Sequence, residues 1–255
     1  MRIMTDFSAE YQQLLDSVPA PANARMSETV VAYEHDGQPM EGFAVHDEAV
    51  AGPKAAVLVV HDWTGLREYP KARAHMLARL GYYAFCVDVY GTGRRFDNPQ
   101  DAGAEAGKYY GDLELLRARV RAAYDEAVKS PAVDRDRIAV MGYCFGGSAA
   151  LEFARTGAPL KGTVSFHGRL VTHEPADVAA ITGSVLVLTG GADPVVPDSA
   201  VAAFQDELRT RDDLDWQVTT YAGAEHGYSI PGEVYHPTAD RRSWRQFTDF
   251  LAEVL

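Results

Sequence analysis

The sequence predicts an α/β fold: a mostly parallel central sheet with helices on both faces and an antiparallel hairpin at its N-terminal edge. Strand-like runs rich in branched and apolar residues recur at 55–61, 83–89, 138–141, 162–166, 184–189 and 217–221. Stretches with apolar residues at helical spacing lie between them. Alternation of this kind means crossover connections, and crossovers place helices over both faces of a parallel sheet. With 255 residues, 47% apolar and 24% charged, the chain is long enough to bury a sizeable core and ordinary in composition.

In chain order, Phe7, Tyr11 and Leu14 fit a short amphipathic helix over 6–15, followed by a Pro/Ala-rich connector through 24. Residues 1–25 are expected to form an N-terminal helical extension, and 26–255 a single domain. Segments 30–33 and 41–45, with Asp36-Gly37 between them, predict the edge hairpin. A buried strand follows at 55–61. Tyr69, Met76 and Leu80 mark a helix over 66–80, and 83–89 is the next strand. Residues 91–106 are expected to form an excursion or lid, because a long irregular connection in a compact domain usually serves a site. Leu113, Leu116, Val120, Tyr124 and Ala127 predict one long helix over 107–129. Later helices are expected at 198–210 and 239–254, the last with Trp244, Phe247, Leu251 and Val254 on one stripe.

The net charge of -12 argues against nucleic acid and against anionic membrane surfaces, both of which reward basic patches. Residues 1–13 carry acids and glutamines where a signal peptide needs an apolar core, and no run approaches membrane-spanning length. A cytoplasmic location is the expectation. The two cysteines, Cys86 and Cys144, sit in different settings and give no disulfide framework.

Cys144 is the focus of the chain. It lies between the apolar run 138–141 and a stretch of small residues, in Gly142-Tyr143-Cys144-Phe145-Gly146-Gly147. The spacing Gly-x-Cys-x-Gly at a strand-to-helix turn is a nucleophile-elbow pattern with sulfur in place of hydroxyl. So sharp a turn strains the central residue, and side chains at the flanking positions would collide. A helix starting at Phe145 aims backbone N–H groups and its positive dipole end at the sulfur, which favours thiolate. A lone cysteine beside an apolar strand is ordinarily a small buried hydrophobe, and the paired glycines reverse that presumption. Cys86, mid-strand in Tyr83-Ala84-Phe85-Cys86-Val87-Asp88 with no glycine bracket, is read as core.

In an open parallel sheet, functional groups gather in loops beyond the strands' carboxyl ends. The loop after 184–189 carries Asp193 in Gly190-Gly191-Ala192-Asp193, and the loop after 217–221 carries His226 in Glu225-His226-Gly227. An aspartate before proline is commonly a turn residue, and a histidine before glycine is commonly an exposed loop. Behind an elbow, they are the pair needed to take the thiol's proton and to orient the ring that takes it. Phe145 N–H and, from the loop after 55–61, Trp63 N–H are the expected oxyanion-hole donors. His61 and Asp62 lack a matching ligand cluster, so no metal site is expected.

These residues resemble the dienelactone hydrolase family of the α/β-hydrolase superfamily, over about residues 28–255. The resemblance rests on the Cys144 elbow, the Asp193 and His226 loops, Asp88-Val89-Tyr90-Gly91, and a closing helix with Ala239-Asp240-Arg241-Arg242-Ser243-Trp244. It implies an α/β-hydrolase fold and a cofactor-free hydrolase of a small ester or lactone. In that scheme Cys144 attacks to form an acyl-thioester, His226 serves as base and acid, and Asp193 orients it. The resemblance also places Asp62 where lactone-opening members carry a glutamate that contacts the resting thiol. Arginines that hold a substrate carboxylate in those members have no match at their own positions; Arg94 and Arg95 lie close to the first. Tyr90, His167 and Trp63 are candidates to line the pocket. A non-catalytic binding protein on the same fold and a thiol redox sensor at Cys144 are the alternatives.

Overall fold

The computed structural model of the protein describes residues 5–255. The chain falls into two compact units, one ending at Ile138 and the other running Ala139–Leu255. Residues 1–4 of the expected N-terminal extension lie outside the described residues.

In the first unit, β1 (Met26–His35) and β2 (Gln38–Asp47) form the expected hairpin, antiparallel from Met26↔Asp47 to His35↔Gln38. Its two-residue turn has both Asp36 and Gly37 at positive φ, 51° and 73°, the backbone hand that matches strand twist. β2 pairs antiparallel with β4 (Tyr83–Val87), and β4 pairs parallel with β3 (Lys54–Val60). Val57, Leu58, Val59 and Val60 are wholly buried, as strands covered on both faces must be. Cys86 is wholly buried too, as the sequence predicts, and desolvation pushes its thiol up to about 12.

Helices lie on opposite faces of these strands. On β2, Phe43 meets His75 of α2 (Glu68–Arg79) at 6.0 Å between ring centres, while Met40 Sδ lies 3.0 Å from Arg119 of α4 (Leu113–Ala127). An odd offset of three along a strand points two side chains to opposite sides. Ahead of the hairpin, α1 (Ala9–Asp16) packs on α2 and is tied to it at both ends. Ser8 N–H donates to Glu68, and Arg79 donates to the Leu15 and Val18 carbonyls, both at 2.7 Å.

The segment after β4 differs from the sequence reading. In place of an irregular excursion and one long helix there are two helices, α3 (Pro99–Tyr110) and α4. Asn98 caps α3 by accepting from Asp101 N–H at 2.8 Å, with Pro99 at the first turn. The helix then ends at Gly111, and Asp112 caps α4 by accepting from Leu115 N–H at 2.9 Å. The helical pattern of 107–129 therefore spans a break enforced by a cap.

β5 (Val133–Tyr143) begins in the first unit and ends in the second, and it is longer than its apolar run, with a polar start in which half-buried Asp134 and exposed Arg137 pair at 2.7 Å. In the second unit β5, β6 (Gly162–Phe166), β7 (Ser184–Gly190) and β8 (Trp216–Tyr221) pair in parallel, in that order. A Cβ on Gly162 would meet Phe250 of α7 (Pro237–Val254), whereas Ser165, three residues on, faces Gly147 of α5 (Phe145–Ala154). Both faces are again covered. The fold is thus α/β, with mostly parallel strand pairing.

The C-terminal end of α5 is anchored by a buried ionic network. Arg155 donates to both oxygens of Glu207 in α6 (Asp198–Leu208), at 2.6 and 2.9 Å, and to the Asp177 carbonyl at 2.7 Å. The Arg155 and Glu207 side chains are 1% and 3% exposed. Arg155→Leu strands buried carboxylates and is expected to destabilise the protein by about 3–5 kcal/mol in urea unfolding. Combining it with Glu207→Leu should recover part of that loss.

Candidate active site

Cys144 occupies the turn between β5 and α5. Its φ of 54° lies in the left-handed region, unusual for a residue with a side chain. The strain is held from both sides. Cys144 N–H donates to Phe166 O of β6 at 3.0 Å, and the Cys144 carbonyl accepts from Gly147 and Ser148 N–H at 3.0 and 3.3 Å, opening α5. A Cβ on Gly142 would overlap the Gly146 carbonyl, so the strand can turn this tightly into the helix only without a side chain there. Cys144 is half-buried, and Phe145 N–H stands at the first position of α5.

The loops after β7 and β8 bring the acid and the histidine to it. His226 Nε2 lies 3.0 Å from Cys144 Sγ, and His226 Nδ1 lies 2.9 Å from Asp193 Oδ2. The other Asp193 oxygen accepts from Val195 and Val196 N–H at 2.8 and 3.1 Å, so the carboxylate is fixed while its side chain is wholly buried. The two loops are laced together: Gly191 N–H donates to Tyr221 O and Ala192 N–H to Ala224 O, at 2.8 and 2.9 Å. Burial alone would lower the His226 pKa. Its hydrogen bonds to Asp193 and Cys144, with the negative charge of both partners, outweigh that and push it up to about 10. The ring therefore carries a proton at neutral pH.

His167 follows β6 directly, at a φ of 41° and 1% exposure. Its ring packs edge-on against His226 at 5.6 Å and 69°, and edge-on against Tyr228 at 5.1 Å. Its Nε2 pairs with Ser229 Oγ at 2.8 Å. Ser229 escaped the sequence reading because its partner is 62 residues away, a contact with no periodic signal.

The remaining expected site residues belong to the first unit. Asp62 folds its own loop, its Oδ1 accepting from Thr64 N–H and Oγ1–H at 2.7 and 2.6 Å. His61 beneath it pairs through Nδ1 with the Asp62 carbonyl at 2.6 Å and accepts from Val89 N–H at 3.2 Å. Both ring nitrogens thus serve the backbone. Tyr90 O–H donates to the Trp63 carbonyl at 3.2 Å, tying that loop to the end of β4, and Trp63 is 36% exposed. Arg94 is engaged by buried Glu105 of α3, through contacts of 2.6 and 3.2 Å. Arg95 donates to the Leu66 carbonyl at 2.6 Å and reaches Glu41 at 3.4 Å.

A sulfur on a strained strand-to-helix turn, met by a histidine and a carboxylate from loops after later parallel strands, marks the α/β-hydrolase class. Comparison with known proteins narrows this further. Residues 40–255 match the dienelactone hydrolase family, and the chain belongs to that family. It is similar to a solved structure named m3DLH, at 36% identity and a TM-score of 0.86 over 90% of this chain and 99% of that one. It is also similar to the dienelactone hydrolase-like promiscuous phosphotriesterase P91 from metagenomic libraries, at 37% identity and a TM-score of 0.85 over 90% and 98%. A Bradyrhizobium protein named "Probable 2-oxo-3-(5-oxofuran-2-ylidene)propanoate lactonase" is 28% identical over 216 residues, covering 79% of this chain and 85% of that one. The chain is accordingly a dienelactone hydrolase-like enzyme, a hydrolase of esters or lactones.

The His226 proton gives a direct test. Cys144→Ala removes the sulfur's hydrogen bond and charge while burial and Asp193 stay, so the ring should titrate at lower pH than in the wild type. An NMR titration of the His226 ring carbons measures this; a wild-type ring losing its proton near the ordinary 6.5 contradicts the assignment.

Proposed function

We propose that the enzyme cleaves a small carboxylic ester or lactone through a Cys144–His226–Asp193 triad and an acyl-thioester intermediate. The observation that carries this reading is the pair of contacts at the two ring nitrogens of His226, 3.0 Å to sulfur and 2.9 Å to carboxylate. In the resting pair His226 Nε2 already holds the thiol's proton, and Asp193 stabilises the imidazolium and holds Nδ1 as the donor. The sulfur attacks the acyl carbon. As the bond to the alkoxy oxygen breaks, that oxygen takes the proton from Nε2; in a lactone it stays tethered to the acyl group. Water then attacks the thioester, His226 accepts its proton, and the sulfur leaves. Phe145 N–H, next to the nucleophile at the head of α5, is the oxyanion donor this unit supplies.

No step in this scheme calls on a cofactor. The lactonase relative supports an unsaturated lactone as the first substrate to try, and the relation to P91 extends the panel to activated phosphotriesters. Among the first unit's candidates, Asp62, Tyr90 and Trp63 remain proposed substrate contacts. Arg94 and Arg95 are weaker ones, since Glu105, Glu41 and the Leu66 carbonyl already engage them. Among the described residues no helix is long and apolar enough to cross a membrane, and a reducing compartment such as the cytoplasm suits a working thiol. A redox-sensor reading is disfavoured because Cys86 is sealed from solvent.

With p-nitrophenyl acetate and a panel of lactones, wild type should show a burst, and intact-mass spectrometry should trap the acyl group on Cys144. Cys144→Ala should lose at least about 10³-fold in kcat, the scale on which loss of a nucleophile acts. Equal rates in the two proteins would remove the hydrolase role of Cys144.

A further inference from the structure

We infer that His167 and Ser229 form a positioning pair for His226, setting the tilt of its ring rather than touching substrate. The inference rests on the triad proposed above. Two hydrogen bonds, at Nδ1 and Nε2, fix two points of the His226 ring, and the tilt of its plane about the line between them is held only by their directionality and by the Cβ tether. Catalysis needs this tilt fixed as well, since Nε2 must face the sulfur and, later, the leaving oxygen along usable directions.

His167 and its partners supply the restraint. The His167 ring meets His226 edge-on at 5.6 Å, so one side of the histidine rests against an aromatic edge. His167 is held in turn at three points. Its N–H donates to Leu188 O of β7 at 2.8 Å, its Nε2 pairs with Ser229 Oγ at 2.8 Å, and its ring abuts Tyr143 and Tyr228 at 6.0 and 5.1 Å. Ser229 is wholly buried and lies three residues beyond His226, inside a turn closed by Tyr228 N–H to Glu225 O and Ile230 N–H to Gly227 O, at 3.2 and 2.8 Å. The His167–Ser229 bond therefore staples the histidine's own loop to the end of β6. At 1% exposure, His167 has little surface to offer a substrate. Its left-handed φ of 41° is a strained conformation for a histidine, of the kind retained where a side chain must be aimed.

Ser229→Ala removes the staple while leaving the His167 ring in place; His167→Phe keeps an aromatic edge but has nothing to pair with Ser229. Both are expected to lower kcat for p-nitrophenyl acetate about 10-fold, with KM within about two-fold, the signature of a misplaced catalytic group rather than lost substrate binding. The double variant should be no worse than the more damaged single one, because the two residues act through one bond. In the same proteins the NMR signals of the His226 ring should broaden or shift relative to wild type. Unchanged His226 signals overturn the inference, and so does a rise in KM at constant kcat, which would make His167 a substrate contact. If His167→Phe does not fold, Ser229→Ala alone decides. The NMR readout needs no turnover, so a wild type inactive on every ester would defeat the proposed function while still reporting on the positioning pair.

Discussion

The site depends on the parallel register of four strand ends. Tyr143 of β5 pairs with Phe166 of β6, Phe166 with Leu188 of β7, and Leu188 with Thr219 of β8. Parallel strands in register release their chains at one edge, so the residues that follow are neighbours however far apart they lie in sequence. Cys144 is one residue past that line. Asp193 and His226 are carried in by the two outer loops, and Phe166-His167 sits between them. This dipeptide meets Cys144, His226 and the strand that leads to Asp193: Phe166 O accepts from Cys144 N–H, the His167 ring rests on His226, and His167 N–H donates to Leu188 O of β7.

Electrostatics and geometry work together at the histidine. Burial disfavours a charged ring, and the same burial strengthens its attraction to the two partners that bracket it. Asp193 is suited to this task because its second oxygen is consumed by Val195 and Val196 N–H, so only one is left to face the ring. Strain is concentrated where chemistry is proposed: among the described residues Cys144, His167 and the hairpin's Asp36 are the non-glycine positions with left-handed backbone conformations. The hydrogen bonds on either side of Cys144 and the buried Arg155–Glu207 pair at the far end of α5 hold the helix against that strain.

Much of this was legible beforehand, and the reason differs from residue to residue. Cys144 announced itself because a sharp turn demands glycine at fixed offsets, and that demand is written locally. Asp193 and His226 could be placed because each follows a strand run in a Gly-containing loop. The second strand of the hairpin, the elbow and the core assignment of Cys86 were equally local. The break between α3 and α4 was missed because an apolar stripe at helical spacing outweighed the capping residue Asp112 within 107–129, and the start of α3 was missed because Asn98 and Pro99 were read as part of an irregular loop. Arg94 and Arg95 were singled out only for lying near the position where family members hold a carboxylate, and that nearness carries no sign of Glu105, which engages Arg94 from a helix that had not been foreseen.

The alternation of strands and helices, the strained cysteine turn and the loops that carry Asp193 and His226 can be read from the chain alone, because each is dictated by residues within a few positions of one another. Which groups those residues meet is settled by packing in three dimensions. The 3.0 Å approach of His226 to sulfur, the pairing of His167 with Ser229, and the commitment of Arg94 to Glu105 are contacts across 82, 62 and 11 residues. Such contacts are set by strand register and helix packing, and periodicity along the chain carries no record of them.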